Sequence, residues 1–290
     1  TQLSPNNAQM AIFLHHAGAA RFAYNWAVAR AQEEYGATKT HLSGYTLMKQ
    51  FNATKDAEFP WTRKIAYRVL EQAIHNVDAA YKNFFCRVNN GDAKVGFPRF
   101  KSRKNGIGGF TLRGGFTIEP KRIKLPVIGW VRLKERGYIP SGVGRIMYAT
   151  VSERAGRWFV SVLIEEEVAE PKPQQGEPIG IDVGINNLAV CSDGRAFENP
   201  RSTARHEKRL ARLQRELSRR QKGGRNREKT KKKVARLHYK IACVRHDAIH
   251  HATKRIVART KPAVVVVEDL HVKGMMQNRH LSKAVADSSM

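Results

Sequence analysis

The spacing of apolar residues divides the chain into a helical first part and a strand-rich second part. Apolar residues recur every three or four positions over residues 11–27 and again over 69–84. That period is typical of amphipathic helices. The sequence therefore predicts helices over much of residues 5–90, separated by a connector rich in Gly, Ser and Thr at 36–44.

Short alternating segments replace the helical period after Asn89. The segments predicted as strands lie at 116–118, 121–125, 129–133, 145–151 and 158–164. Regularly spaced strands separated by turn residues are typical of a small antiparallel barrel. A segment rich in Pro and Gln at 170–176 then predicts a linker.

Beyond the linker, the pattern predicts an α/β domain. A strand that carries Asp182 turns into a second strand, and two long helices follow over about 203–222 and 228–259. The four valines before Glu268 are typical of a strand covered on both faces. This order matches the ribonuclease H-like fold, in which Asp182 and Glu268 would converge from neighbouring parallel strands.

Composition adds a strong positive charge to this picture. The chain has 290 residues, with 52 Lys or Arg against 25 Asp or Glu, and a formal net charge of +27. Residues 201–240 alone hold 17 Lys or Arg against three Glu. A hydrophobic content of 41% excludes disorder for most of the chain, so the charge predicts a polyanionic partner. A solvated charged face is the ordinary alternative, but such faces mix signs more evenly.

Other classes of protein do not fit. No apolar run approaches the roughly 18 residues of a membrane span. The three cysteines show no CxxC or Cys/His spacing, which excludes a disulfide framework and a zinc finger within these residues. A reducing, cytosolic type of compartment is therefore expected.

Two acidic positions are the candidates for chemistry. Carboxylates at Asp182 and Glu268 would suit a pair of Mg²⁺ ions that hydrolyse a phosphodiester, because hard cations prefer oxygen ligands. Asp269 is not a substitute for Glu268, since neighbours on a strand point to opposite faces. The alternatives are a turn residue at Asp182 and an exposed strand end at Glu268. The segment "IGIDVG" also suits actin-like ATPases.

Seven motifs extend this pattern along nearly the whole chain. They are "RFAYNWAVAR" from Arg21, "AAYKNFF" from Ala79, "VGFPRFKSRK" from Val95, "IKLPVIGWVRLK" from Ile123, "IGIDVGINNLAVCSDG" from Ile179, "LSRRQKGGRNREKTKKKVARLHYKIACVRHD" from Leu217 and "VVVVEDLHVKGMMQNRHLSKAVAD" from Val264. In this order they resemble the TnpB family, RNA-guided DNA endonucleases encoded by insertion sequences and related to compact type V CRISPR effectors.

The resemblance implies a multidomain α+β fold. A helical recognition domain is inserted in a small antiparallel wedge β-barrel, and a RuvC/ribonuclease H-like α/β nuclease domain follows. The expected division is 1–8 for the start of the barrel, 9–90 for the recognition domain, 91–175 for the barrel and 176–290 for the nuclease domain. The family's third catalytic Asp and a four-cysteine Zn²⁺ site are expected beyond Met290, so the nuclease domain is expected to be incomplete.

The resemblance also implies an activity. The protein would bind a guide RNA, recognise a short motif beside its target in double-stranded DNA, form an RNA–DNA heteroduplex and cleave DNA. Asp182 and Glu268 match the family's first two catalytic carboxylates and would bind Mg²⁺. Asp287 matches an earlier family position rather than the third carboxylate. The expected location is the cytoplasm of a bacterial or archaeal cell, in association with the nucleoid.

Two other functions stay open at this point. One is an RNA-guided DNA-binding protein or repressor that is catalytically incomplete. The other is an unguided RuvC-like resolvase or transposase, whose DNA binding would not depend on RNA.

Candidate nucleic-acid-binding residues fall into three groups. Arg68 and Gln72 are candidates for reading the DNA motif, because Arg and Gln pair with guanine and adenine edges. Phe97 and Phe100 alternate with cations and could stack on bases or anchor the barrel. Those cations are Arg99, Lys101, Arg103 and Lys104. The two basic helices contribute Arg212, Arg219, Arg220, Lys222, Arg225, Lys231, Lys232 and Arg236.

Overall fold

The chain folds as two compact units, Thr1–Val168 and Ala169–Met290. The computed structural model describes residues 1–93, 95–139, 144–170 and 172–288. Pro171, within the expected linker, lies outside the described residues.

Three helices form much of the first unit; the apolar period predicts two of them, α1 and α3, and α2 is additional. They are α1 (Asn7–Thr38), α2 (Gly44–Glu58) and α3 (Tyr67–Asn89), with a short 3-10 helix (Pro60–Lys64) between α2 and α3. A capping box starts α1, because the Asn6 side chain accepts the Gln9 N–H while the Gln9 side chain accepts the Asn6 N–H. The helix ends at Lys39 in the left-handed region, which narrows the connector to residues 39–43.

Seven antiparallel strands complete the first unit. They are β1 (Gln2–Ser4), β2 (Gly109–Leu112), β3 (Thr117–Glu119), β4 (Arg122–Leu125), β5 (Gly129–Leu133), β6 (Arg145–Arg154) and β7 (Arg157–Glu165). Their order is β2-β6-β7-β1-β5-β4-β3. The five expected strands are present to within a few residues. β1 and β2 are additional as strands.

The core of the first unit lies between its helices and its sheet. Phe13 of α1 is fully buried, and its ring lies 5.0 Å from the Trp158 ring of β7 in an edge-to-face contact. Along β5, Val131 and Leu133 are buried while Arg132 between them is exposed. This alternation is what a sheet with one covered face requires.

The second unit is a four-stranded sheet with long helices. Its strands are β8 (Ile179–Asp182), β9 (Asn187–Cys191), β10 (Ala196–Glu198) and β11 (Val265–Val267), in the order β10-β9-β8-β11. Its helices are α4 (Ser202–Arg219), α5 (Arg225–Thr260), α6 (Val272–Gln277) and α7 (Ser282–Ser288). β8 pairs antiparallel with β9 and parallel with β11.

The prediction that the valine strand is covered on both faces is wrong for the described part of the chain. β11 lies at the edge of its sheet, and Val264, Val265, Val266 and Val267 are 54%, 43%, 59% and 53% exposed. A run of β-branched residues reflects strand propensity, and burial needs a covering element as well. Among the described helices, none is long and apolar enough to cross a membrane.

Candidate metal and nucleic-acid sites

The parallel pairing of β8 and β11 puts the two predicted carboxylates at the same end of the sheet. Val267 is the partner of Ile181 in the ladder; Asp182 is the next and last residue of β8, and Glu268 is the first residue after β11. Neighbouring strands lie about 4.8 Å apart, and paired positions project from the same face. Asp182 and Glu268 therefore lie at the same end of two neighbouring strands. Their joint action at a metal stays a prediction.

Both carboxylates are exposed and free of competing partners. Within the described residues, neither Asp182 nor Glu268 makes a side-chain hydrogen bond or an ion pair. Their oxygens are thus available as ligands for a hard cation, and the pair fits part of a Mg²⁺ site. The described residues contain no group of three or more His, Cys, Asp or Glu side chains that could hold a metal ion.

A turn held by arginine side chains joins the two basic helices α4 and α5. The Arg227 guanidinium donates to the carbonyl oxygens of Leu217 and Arg220, and caps the end of α4. Arg220 pairs with Glu216 and donates to the Asn226 carbonyl at 2.8 Å. Arg220, predicted to bind nucleic acid, is therefore engaged inside the turn. The structural role of Arg227 was not predicted.

Exposed cations form one stripe along each of these helices. On α4 they repeat every three or four residues, at Arg205, Lys208, Arg212, Arg215 and Arg219. On α5 the same spacing joins Arg225, Lys229, Lys232, Arg236 and Lys240. Five of the predicted residues lie on these stripes, whereas Lys222 is exposed in the turn and Lys231 is exposed beside the stripe. Helical spacing could have identified the other five positions.

We call α4, α5 and the turn between them the basic hairpin. The cationic stripes leave the inner face of the basic hairpin apolar. Leu213, Leu237 and Ile241 are buried between the helices, with Leu210 and Val234 packed against them. None of the stripe cations forms an ion pair with another described residue. The stripe on α4 covers 15 residues, or roughly 21 Å along the helix axis. The hairpin thus presents extended positive charge on a folded support.

The basic loop, residues 95–108, is clamped onto α1 by the "RFAYN" motif. The Asn25 amide donates to the Lys101 carbonyl at 2.9 Å and accepts the Lys101 N–H at 2.7 Å. The Lys101 ammonium lies 3.8 Å from the centre of the Tyr24 ring, and desolvation lowers the pKa of Lys101. Arg21 donates to the Ile107 carbonyl at 3.1 Å.

The clamp fixes the backbone of the basic loop while its side chains stay outside. Arg99, Arg103 and Lys104 are exposed, and Phe97 and Phe100 are 49% and 53% exposed. Phe97 stacks on Phe84 of α3 at 4.4 Å. Phe97 thus anchors the loop to a helix, rather than to the sheet.

Gln72 and Arg68 lie in different surroundings on α3. Gln72 lines a pocket of about 570 Å³ formed by α1, α3, the basic loop and strands β2 and β6. The Gln72 amide donates to the Asn76 side chain, which lines the same pocket, at 3.0 Å. Arg68 does not line this pocket, and its guanidinium pairs with Glu71 at 2.9 Å. We call this cavity the Gln72 pocket.

Asp287 has a structural role that sequence reasoning missed. Its carboxylate accepts the N–H groups of Thr203 and Ala204 at 2.8 and 3.2 Å and the Ser202 hydroxyl at 3.3 Å. Burial alone would raise the pKa of Asp287, but these hydrogen bonds outweigh it and lower the pKa. Asp287 therefore caps α4 from α7, across a sequence separation that no local pattern reveals.

Two family models match the chain. Residues 149–279 match the OrfB_IS605 model, described as a probable transposase. Residues 1–40 match the helix-turn-helix domain model of the same group. In the structure, that second range contains β1 and the single uninterrupted helix α1.

Curated relatives match over nearly the full chain. A protein of Escherichia coli K12, provisionally named RNA-guided DNA endonuclease InsQ, is 34% identical over 280 residues, which cover 96% of this chain and 67% of InsQ. A Streptomyces pristinaespiralis protein with a similar provisional name is 32% identical over 98% of this chain and 69% of its own length.

Solved structures give a weaker match. A Cas12f1–sgRNA–target DNA complex aligns with 97% of this chain and 76% of its own, at 12% identity and a TM-score of 0.28. A Cas12f ternary complex aligns at 13% identity and a TM-score of 0.30, over 97% of this chain and 68% of its own. The sequence relatives are therefore the stronger finding.

Proposed function

This chain belongs to the TnpB family, and from that premise we propose that it is an RNA-guided DNA endonuclease. It binds a guide RNA, recognises a short motif in double-stranded DNA, pairs the guide with one strand and cleaves the DNA. The observation that supports the proposal is the parallel pairing of β8 and β11, with Asp182 and Glu268 at the same end of these two strands. The activity would take place at the nucleoid, in the cytoplasm of a bacterial or archaeal cell.

The chain order supports a finer architecture. β1 pairs with β5 and β7, so the helices α1 to α3 are inserted between the first two strands of one antiparallel sheet. We assign a wedge barrel to residues 1–8 and 91–175 and a recognition domain to 9–90. Residues 176–290 belong to a RuvC-like nuclease domain.

Asp182 and Glu268 would hold the metal of the nuclease site. Bound Mg²⁺ ions activate water and stabilise the leaving oxygen of a phosphodiester. The two side chains supply free carboxylate oxygens, which are the ligands that Mg²⁺ prefers. Zn²⁺ is proposed only for the four-cysteine segment of the family, not for the described residues.

The basic hairpin would hold the guide RNA and its heteroduplex. Its stripes carry cations without carboxylate partners, at a spacing that follows a helix axis. Recognition through phosphates suits a heteroduplex whose sequence is read by base pairing. Removing one cation that neutralises a phosphate should lower the dependence of binding on salt by about 0.7 to 0.9 in log–log slope.

A stripe variant tests this role of the hairpin. Replacing Lys208, Arg212 and Arg215 together by Ala should lower RNA affinity and reduce the salt slope by about two to three. Arg87→Ala is the matched control, because Asp92 already neutralises Arg87 at 2.7 Å. Equal salt slopes for the triple variant and the wild type would exclude this face of α4.

The Gln72 pocket is the proposed site for the target-adjacent motif. Gln72 can offer a donor and an acceptor to an adenine edge, and the polar side chains of Asn76 and Ser102 line the pocket with it. The exposed cations of the basic loop, beside the pocket, would bind backbone phosphates. Gln72→Ala should therefore change the preferred DNA motif more than Arg68→Ala does, because the Arg68 guanidinium is already paired with Glu71.

Guided cleavage assays test the main proposal. The protein is expressed with its guide RNA and incubated with Mg²⁺ and a plasmid that carries the matching target. Asp182→Ala and Glu268→Ala should abolish cutting and preserve RNA-dependent DNA binding. Asp269→Ala is the control, because it removes a carboxylate next to Glu268 that is not a predicted metal ligand, and it should not affect cutting. Cutting that persists in Asp182→Ala would overturn the assignment.

A second candidate is guided DNA binding without cleavage. It predicts tight RNA-dependent binding and no cutting by the wild type. An unguided resolvase or transposase predicts instead that RNase treatment leaves DNA binding unchanged.

A further inference from the structure

A second cavity in the first unit has no role in the proposed activity. It has a volume of about 660 Å³ and lies between α1, the short 3-10 helix and the end of the basic loop. Cavities of this size hold small organic molecules and single nucleotides. We call it the Trp61 pocket, after the aromatic residue in its wall.

The charge of the Trp61 pocket has one sign. Arg21, Lys64 and Arg103 line it together with His15, and no Asp or Glu is among the lining residues. A nearby acid, Asp56, is already paired with Arg63 at 3.1 Å and does not line the pocket. The pocket therefore favours an anionic ligand.

The wall of the pocket is aromatic and partly uncovered. Trp61 is 43% exposed, although its ring is held edge-to-face by Phe22 at 5.0 Å. Leu14, also in the lining, is 44% exposed. A fixed, exposed indole offers a flat surface on which a second ring can stack.

We propose that the Trp61 pocket binds one unpaired nucleotide of a nucleic-acid strand. The base stacks on Trp61, and the adjoining phosphates contact Arg21, Lys64 and Arg103. Stacking surfaces combined with cations are how proteins bind single strands, whereas the bases of a duplex are already stacked on one another. The proposal rests on the proposed function only in taking a nucleic acid as the ligand. The strand could belong to the guide RNA or to opened DNA.

Gly18 provides a way to close the pocket without disturbing the fold. It lies within α1 and lines the pocket, and a Cβ built there meets no atom within 4 Å. Gly18→Leu therefore fills the cavity, and leucine also has the higher helix propensity. Gly36 lies on the same helix with equally open space and does not line the pocket. Gly36→Leu is the matched control.

Fluorescence anisotropy with three short probes of the same mixed sequence tests the proposal. The probes are a single-stranded RNA, a single-stranded DNA and the DNA duplex. Trp61→Ala and Gly18→Leu should each weaken single-strand binding about tenfold and leave duplex binding unchanged. Gly36→Leu should behave like the wild type. The single strand that loses affinity identifies the source of the nucleotide.

Several results would overturn the proposal. They are single-strand binding that is unchanged in Gly18→Leu, an equal loss on the duplex, or no single-strand binding by the wild type. If Trp61→Ala fails to fold, Gly18→Leu decides the result alone. The guided cleavage assay is a separate measurement, so a failure of the proposed function is distinguishable from a failure of this pocket.

Discussion

The two sheets of this molecule differ in how much of their surface is covered. In the first unit, residues from all three long helices and from the antiparallel sheet form one buried cluster, which extends from Leu3 to Val160. The second unit has two small clusters, one around Ile179 and Ile256 and one inside the basic hairpin. Its edge strand β11 is exposed on both faces.

The two units therefore differ in how much buried core supports their candidate functional residues. The first unit holds the basic loop on a scaffold that its own core stabilises. The second unit carries the carboxylate pair on a thinly covered sheet, where both side chains reach solvent. We expect the second unit to open at lower denaturant concentration than the first, because less apolar surface is buried there.

The largest expected effect comes from truncating the core of the first unit. Phe13→Ala removes a fully buried ring that contacts Trp158 and Phe110, and should cost about 3–5 kcal/mol of the free energy of unfolding. Ile256→Ala, in a small cluster of the second unit, should cost about 2 kcal/mol.

Two probes separate these effects. All four tryptophans lie in the first unit, so their fluorescence in urea reports its unfolding, and hydrogen exchange reports the second unit. Leu163→Ala, at a position that is 56% exposed, is the control and should be nearly neutral. A larger loss of the free energy of unfolding for Ile256→Ala than for Phe13→Ala would contradict the proposed difference between the two units.

The next effect concerns the cap on α4. Asp287→Ala should cost about 2 kcal/mol in the second unit, because the first N–H groups of α4 lose a buried acceptor. Faster hydrogen exchange in the first turn of α4 is the readout.

A surface pair between the same two helices gives the control. Glu207→Gln breaks the ion pair of Glu207 with Lys283 at 2.9 Å and should change stability little, because both side chains are exposed. The pKa of Asp287 is lowered in the fold. The contribution of Asp287 to the stability of the second unit is therefore fully present above the usual carboxyl pKa. The contribution is lost as the pH falls through the lowered value. Equal losses for the two variants would contradict the cap.

A smaller effect is expected from pH on the first unit. His16 is buried, its Nδ1 lies 2.9 Å from the Ile12 carbonyl, and its Nε2 accepts the Ala66 N–H at 3.2 Å. Burial lowers the pKa of His16, against the opposing effect of the Ile12 hydrogen bond. The neutral ring is thus favoured in the fold, and its contribution is present above about pH 6.5 and lost as the pH falls below it.

The urea midpoint measured by tryptophan fluorescence checks this prediction. The urea concentration at the midpoint should decrease as the pH is lowered from about 7.5 to about 5.5. His16→Gln should flatten the dependence, whereas His15→Gln, at the exposed neighbour, should retain it. A wild-type midpoint that does not change with pH would remove the role assigned to His16.

Sequence reasoning identified the features that depend on local pattern. The apolar period gave α1, α3 and the long basic helices, and the alternating segments gave five strands. The positions of Asp182 and Glu268 at two strand ends were also predicted, because the order of the elements determines which strands become neighbours.

What sequence reasoning missed depends on contacts between distant residues. β1 shows no pattern of its own and is expected only through the family resemblance, which starts the barrel at residues 1–8; it is paired by β5 and β7. Asp287 caps a helix that begins 85 residues earlier. The clamp of Asn25 on Lys101 is likewise invisible to a periodic pattern. The valine run of β11 gave the right element with the wrong burial, because the pattern cannot say whether another element covers it.

Calorimetric titration with Mn²⁺ is the most direct test of whether Asp182 and Glu268 bind a metal ion together. The wild type is compared with Asp182→Asn, Glu268→Gln and Asp269→Asn. Asp182→Asn and Glu268→Gln should lose Mn²⁺ binding, and Asp269→Asn should bind Mn²⁺ like the wild type. Unchanged binding in Asp182→Asn and Glu268→Gln, or an equal loss in Asp269→Asn, would contradict a metal site formed by Asp182 and Glu268.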